Sequence, residues 1–303
     1  MANEFGLVTY GDTSRREDLT DLLKNISPVD TPFTTGISHG EPVTATLHEW
    51  QEDVLDDRAT NAFPEGHTAT YTALDTPSRI VNVTQILRKD GNVSNTQRAV
   101  NHAGFKDQLA YQQGKKTKAF KNDLEFAAVL STLDTGASGT ARAMKGALAM
   151  ITSVTTALSS QVLSETIYND MLQLRATSFG GDVDEIYAGF WLKRKISGFT
   201  AGATKNVDIK DKRLTNTVSV YEGDFGIQKI FKLRELNSTG GSTAKMFGIR
   251  SDVWRLGWLR RPQMNIVPPD GSDTSKFYIV GEATLVNGAD GANVKWTGLN
   301  NAT

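Results

Sequence analysis

The sequence has no cysteine, no long apolar run and almost no net charge, and each absence removes a class of function. Without cysteine there are no disulfides, thiolate nucleophiles, iron–sulfur clusters or the usual structural zinc sites. Nowhere do about 18 apolar residues follow one another, so no membrane-spanning helix is expected. The opening MANEFGLVTYGDTS lacks a basic region ahead of an apolar core, so a standard secretory leader is not expected either. The Asn-x-Ser/Thr matches at Asn82, Asn92 and Asn237 are then chance, because glycosylation needs the secretory route. Lys+Arg 33 against Asp+Glu 34 leaves a formal charge of -1, so the whole chain has no electrostatic pull toward nucleic acid or an anionic membrane. A charge-driven partner has to be met locally.

Catalytic patterns are missing as well. The four histidines, His39, His48, His67 and His102, never stand at i, i+4 on one helix, and there is no HExxH. The glycine-rich GASGTARAMKG meets neither the GxxxxGK[ST] nor the GxGxxG spacing, and no GxSxG elbow occurs. No enzyme is indicated, and no cofactor or metal is implied.

What remains is ordinary globular composition: 303 residues, 39% hydrophobic and 22% charged, enough for one large domain or two smaller ones. Ser14 with Glu17 forms a capping-box pattern, and Leu19, Leu22, Leu23 and Ile26 then recur at helical spacing, which predicts a helix of roughly 10 residues ending at Pro28. A helix this short needs a surface for its leucine face, and part of that surface is open to another chain. Pro32 biases Thr31 toward extended geometry, so a stiff extended strap ending in Phe33 and Ile37 is expected.

Residues 41–87 carry β-patterned segments, VTATLHEW, TATYTAL and SRIVNVTQIL, around an acidic run, and predict a long two-stranded excursion lying against something else. Ser94 with Gln97 opens a helical stretch to about Thr132, on the order of 50 Å. Its later part has an apolar stripe, Phe120, Leu124, Ala127 and Ala128, while its middle, YQQGKKTK, is polar and basic. LDTGASGTA is a linker. Beyond it, ALAMITSVTTAL is helical or mixed, Ser164 is an N-cap for SETIYNDMLQLRAT, and DEIYAGFWLKRKISGF is a buried strand running into a short helix. VSVYEG, FGIQKIFKL and KMFGIR add strands to an α+β region. At the end PPDG supplies a turn, KFYIVGEATLV a strand, NGADG a hairpin turn and ANVKWTGL its partner.

Charge is unevenly placed. Glu49, Glu52, Asp53, Asp56 and Asp57 face one base, Arg58, whereas Lys115, Lys116, Lys118 and Lys121 stand within two turns of the long helix. Two readings stay open: two solvated faces, or an acidic excursion of one subunit lying on the basic rod of its neighbour. Lysines on nucleic-acid phosphates rank lower, since no aromatics interleave with them.

The order of short arm, β excursion, long helix, α+β region and returning strands resembles the major capsid proteins of tailed double-stranded DNA bacteriophages, with the Johnson or Hong Kong 97-like fold. DLLKNISPVDTPFTTGI resembles arms of one branch that read as a leucine helix followed by P-x-DTPF, and VSVYEGDFGIQKI and FYIVGEATLVNGADGANVKWTGL match further on. The resemblance covers nearly the whole chain in order, although no single motif in it is unique. It implies an α+β capsid fold divided into an N-terminal arm (1–40), an extended loop (41–93), a peripheral-domain spine helix (94–135), an axial domain (136–261) and peripheral C-terminal strands (262–303). It further implies hexamers and pentamers closing an icosahedral shell around double-stranded DNA, a separate scaffolding protein, a portal, and a virion assembled in the host bacterial cytoplasm, with a decoration protein left open.

The inter-subunit contacts expected on this basis are Leu22, Leu23 and Ile26 of the arm helix, Pro32 and Phe33 of the strap, the five acids of the excursion and the four lysines of the rod. Some relatives cross-link their shells through an extended-loop lysine and an asparagine. Residues 41–87 contain no lysine, only Arg58 and Arg79, so no such cross-link is expected here. Two other classes compete: a protein-binding module among other virion or sheath proteins, and, more distantly, a carbohydrate-active enzyme suggested by Trp50, Trp191, Trp254, Trp258 and Trp296.

Overall fold

The computed structural model describes residues 30–56, 59–71, 73–100, 107–199, 219–237, 244–269 and 271–300. The expected arm helix with Leu22, Leu23 and Ile26 lies outside these residues, as do Asp57, Arg58 and His102.

The described chain begins with a helical turn where an extended strap is expected: α1 spans Pro32–Gly36. Pro32 takes the first helical position, where its missing N–H would have no intrahelical partner anyway. The strand β1 (Ser38–Pro42) follows, then β2 (Leu47–Glu52) and β3 (Ser78–Val83), which pair only with each other as the antiparallel excursion. The described residues of TATYTAL form no strand. β4 (Gln85–Ser94) leads into α2 (Asn95–Ala99).

The expected single rod is interrupted here. Val100 is extended, with φ -72 and ψ 139, and α3 (Gln108–Leu130) starts afresh at an Asp107 cap whose carboxylate accepts from the Leu109 N–H. Ser94 occupies the cap position of α2 but its hydroxyl makes no cap bond, and α2 buries no residue, so little holds it in line with α3. The 23 residues of α3 span about 35 Å. Its stripe behaves as the periodicity predicts: Phe120, Leu124, Ala127 and Ala128 are buried.

Two sheets share the core. The four-stranded sheet has the order β1–β10–β11–β4, with β10 at Trp254–Ile266 and β11 at Thr274–Asn287. Pro262 sits where the β10–β11 register shifts between Arg260 and Gln263, a bulge that tolerates a residue without an N–H. Gly91 of β4 admits the Phe277 ring across the ladder: a Cβ there would lie 2.3 Å from the ring. Glu282 of β11 is buried and staples the neighbourhood, accepting from Thr84 Oγ1 (2.6 Å), Arg142 (2.7 Å) and Arg260 Nε (3.0 Å).

The six-stranded sheet has the order β5–β12–β9–β6–β8–β7, formed by β5 (Thr155–Ala157), β6 (Glu185–Ala188), β7 (Val220–Gly223), β8 (Gly226–Lys232), β9 (Ala244–Ile249) and β12 (Val294–Leu299). All four residues of β6 are buried, because both faces are covered. Tyr187 and Phe247 point to the core shared with α3 and Trp254, while Ile186 and Met246 point to the core under α5 (Glu165–Ser178) and α6 (Phe190–Ser197). Ser164 caps α5 by accepting from the Ile167 N–H, and Trp296 stacks on Tyr168 with ring centroids 5.7 Å apart. Only Ala147–Met150, α4, is helical in ALAMITSVTTAL.

NGADG is not a hairpin turn. Both edges of β11 are already taken, by β10 and β4, so β12 has no edge to pair with there. Instead the Asp290 carboxylate accepts from the backbone N–H and hydroxyl of both Thr152 and Ser153, at 2.6–3.1 Å, and turns the chain into the other sheet, where β12 pairs with β9 and β5. The expected division at 261/262 therefore falls inside β10, and β12 joins the sheet of residues 136–261.

Candidate functional site

Three surfaces carry the residues singled out in the sequence. The first is the end of the arm. Phe33 is wholly buried, edge-on to Tyr187 (5.5 Å), Phe247 (5.7 Å) and Trp254 (5.7 Å). The backbone N–H groups of Phe33 and Thr34 each donate to a different oxygen of Glu125, both at 2.8 Å. This carboxylate takes up two donors that the first turn of α1 leaves free. Burial pushes its pKa up, against the pull of the hydrogen bonds from Thr34 and Phe33, and the nearby Glu235 charge adds to the rise. Phe33, expected between subunits, is thus consumed in the core of its own chain, and Pro32 opens the turn that puts it there. Glu125 was not foreseen. Its signal is an acid set beside Leu124 and Ala128 on the apolar face of a helix, which implies a buried donor.

The second surface is the excursion. Its ladder runs from Leu47 opposite Val83 to Glu52 opposite Ser78. Beyond it the described residues of 53–77 have no regular structure, and their large apolar side chains are open to solvent: Leu55 is 93% exposed, Tyr71 93% and Leu74 91%. The base is pinned by Glu52, whose Oε1 accepts from the Asp290 N–H at 2.7 Å. Partial burial raises the Glu52 pKa, against that hydrogen bond, and the Asp290 charge raises it further. Glu49 pairs with Arg79 at 3.4 Å. Two of the acids are therefore engaged within the chain, and Asp53 and Asp56 form no ion pair among the described residues.

The third surface is α3. Lys115, Lys118 and Lys121 are exposed and Lys116 is half-buried, and none of the four joins an ion pair among the described residues. Lys116 borders a polar hollow beside Asp90–Ser94. Lys121 borders an apolar groove of about 460 Å3 between the end of the arm, α3 and β10. Among the described residues no ion pair joins the acids to the lysine row within one chain, and no group of three or more His, Asp or Glu side chains is placed to hold a metal ion. No helix described is long and apolar enough to cross a membrane. The geometry offers contact surfaces.

Comparison with known proteins gives the same picture. The family model described as SU10 major capsid protein matches residues 5–300. A curated major capsid protein of Escherichia phage Phieco32 is 35% identical over 126 residues, 41% of this chain and 36% of that protein, so the match spans about a third of the relative's length. Among solved structures, the capsid of a native GTA particle superposes with a TM-score of 0.66 at 10% identity, covering 95% of this chain and 97% of that one. A chain of Gordonia phage Cozz gives 0.64 at 13%, covering 94% and 91%. The holo-SrpI encapsulin complex of Synechococcus elongatus gives 0.62 at 9%, covering 96% and 94%. The fold is the α+β, Hong Kong 97-like capsid fold.

Proposed function

Because the chain belongs to the SU10 major capsid protein family, matched over residues 5–300, we propose that its copies assemble as hexamers and pentamers into an icosahedral shell around a phage double-stranded DNA genome. The observation that carries this reading is the excursion. Leu55, Tyr71 and Leu74 are held out beyond a pinned two-stranded stalk, with almost none of their surface covered by the described residues of their own chain. Large apolar side chains left this open to solvent beyond the stalk are what a contact with another protein would cover. A neighbouring copy supplies it, and closed symmetry multiplies the modest strength of each contact.

The charges fit as orientation. Asp53, Asp56 and Asp57 of one subunit would land on Lys115, Lys116, Lys118 and Lys121 of the next. Exposed pairs contribute about 0.2–1 kcal/mol each, so they steer more than they hold. Reversing the three acids to lysine is expected to slow assembly, and reversing the lysine row as well to restore it. Normal assembly of the first variant would remove this docking. The proposed partners are a separate scaffolding protein and a portal, with a decoration protein as an addition, and assembly takes place in the host bacterial cytoplasm.

Covalent reinforcement through the excursion is not part of the proposal. Residues 41–87 have no lysine, and the next one, Lys89, is held by Asp123 at 2.5 Å. Covalent ladders in denaturing gels of mature particles would contradict this. The assembly test is sedimentation velocity with negative-stain microscopy, alone and with a co-expressed scaffolding protein. Rings or closed shells are expected. Small oligomers under both conditions would favour the other reading, a protein-binding module.

A further inference from the structure

Among the described residues, the groove beside α3 is an apolar hollow to which the assembly reading gives no occupant. Its floor is Phe120, Leu124 and Ile279, its wall is Trp258 and Met264, and Thr31 forms its rim. Met264 is 43% exposed, an unbranched apolar side chain facing space that nothing described fills. A volume of about 460 Å3 is in the range that holds a ligand rather than a single water.

We propose that this groove is the seat of the chain's own leucine segment, Leu19, Leu22, Leu23 and Ile26. The chain ahead of Asp30 lies outside the described residues, and the described chain begins at the groove itself, since Thr31 is part of the lining. Four residues separate Ile26 from Thr31, five residue steps with a reach of at most roughly 18 Å when extended. The helical spacing of the four apolar residues compresses them into about 10 Å. The whole leucine face therefore fits within reach of the groove of its own chain. Tethering by so short a link gives an effective concentration on the order of millimolar, which a second copy has to exceed. The segment that looked adhesive toward neighbours closes its own subunit instead, and the excursion is left as the projecting contact. This assignment is independent of shell formation.

The absence of cysteine makes the test free of background. Leu23→Cys with Met264→Cys is oxidised gently in dilute, unassembled subunits, and Leu23→Cys with Ile227→Cys, at an exposed site on β8, is the control. A disulfide needs the two Cα atoms within about 4.4–6.8 Å, so it reports docking. The expected product is a reducible intrachain bond, seen as a monomer of shifted mobility, formed in at least tenfold higher yield than in the control. Bonded dimers would assign the groove to another copy's segment and overturn the proposal. Equal yields in both pairs, or free thiols throughout, would overturn it too. If the first pair does not fold, Ile26→Cys with Gln263→Cys replaces it under the same criteria. Shell formation is scored on the reduced protein by sedimentation: assembly without the intrachain bond counts against the groove alone, and the bond without assembly counts against the shell reading alone.

Discussion

Phe33 and Leu55 are both large apolar residues in the first third of the chain, and they have opposite fates. Phe33 has no exposed surface, three aromatic rings around it and a carboxylate holding the backbone beneath it. Leu55 is almost fully exposed and stands beyond the last paired residues of a two-stranded stalk. The same chemistry serves the stability of one subunit in the first case and offers a surface to another in the second. Perturbing each region should therefore move different measurements.

The largest effect on the isolated subunit is expected at Phe33. Phe33→Ala removes a fully enclosed ring and is expected to cost about 3–5 kcal/mol, read from the urea unfolding midpoint. If the loss were under about 1 kcal/mol, the arm's end would not be part of the core. Glu125→Ala comes next. It leaves the N–H groups of Phe33 and Thr34 buried without acceptors and is expected to cost about 2–3 kcal/mol. Its effect should be smaller in a Phe33→Ala background, because both act on one turn.

pH gives a finer separation. Glu125 and Glu52 both have raised pKa values in the folded chain, from burial first. A carboxyl that binds its proton more tightly when folded favours folding at low pH. That contribution is lost as pH rises from the ordinary carboxylate range, about 4.5, through the raised value. Glu52→Gln keeps an acceptor for the Asp290 N–H and removes the charge facing the Asp290 carboxylate. It should flatten the stability curve in that window and leave stability above it equal or higher by less than about 1 kcal/mol, a small effect because the group is partly exposed. A steeper curve in the variant would mean that the latch depends on the negative charge.

How much of this was legible follows the same line between inside and outside. The apolar stripe of α3, the Ser164 cap and the strand-to-helix run of Glu185–Ser197 were readable, because periodicity and caps act within a few residues. The break after Ala99 was not, since a capping-box pattern at Ser94 says nothing about whether the turn it opens has anything to pack on. The fate of NGADG was hidden for a different reason. Its local pattern suits a hairpin, but the edges of β11 are occupied by strands distant in sequence, and Asp290 is held by Thr152 and Ser153. Pro32 misled because one residue type suits both an extended strap and the first position of a helix. The buried acceptor at Glu125 decides between them, and it lies 92 residues away. For the excursion, the two-stranded pattern and the acidic run were visible, yet not that Glu49 and Glu52 are engaged at home. Side-chain pairing across a ladder depends on register, which composition does not give.

The smallest effect on the subunit belongs to the tip of the excursion. Leu55→Ser with Leu74→Ser alters two side chains that touch almost nothing in their own chain, so unfolding midpoints should shift by less than about 0.5 kcal/mol. Assembly is another matter. If these side chains bury about 100 Å2 or more each against a neighbour, the loss is on the order of 2–3 kcal/mol per side chain and about 5 kcal/mol per subunit at about 25 cal/mol per Å2, repeated at every copy of the contact. The double variant should therefore leave a well-folded subunit that fails to sediment as rings or shells at concentrations where the parent does. Leu55→Met with Leu74→Met, which keeps the apolar area, should assemble nearly as the parent. If the serine variant assembled normally, the exposed tip would be a solvated loop and adhesion would have to lie elsewhere. If it unfolded early, the tip would be packed on its own chain, and the contrast with Phe33 would dissolve.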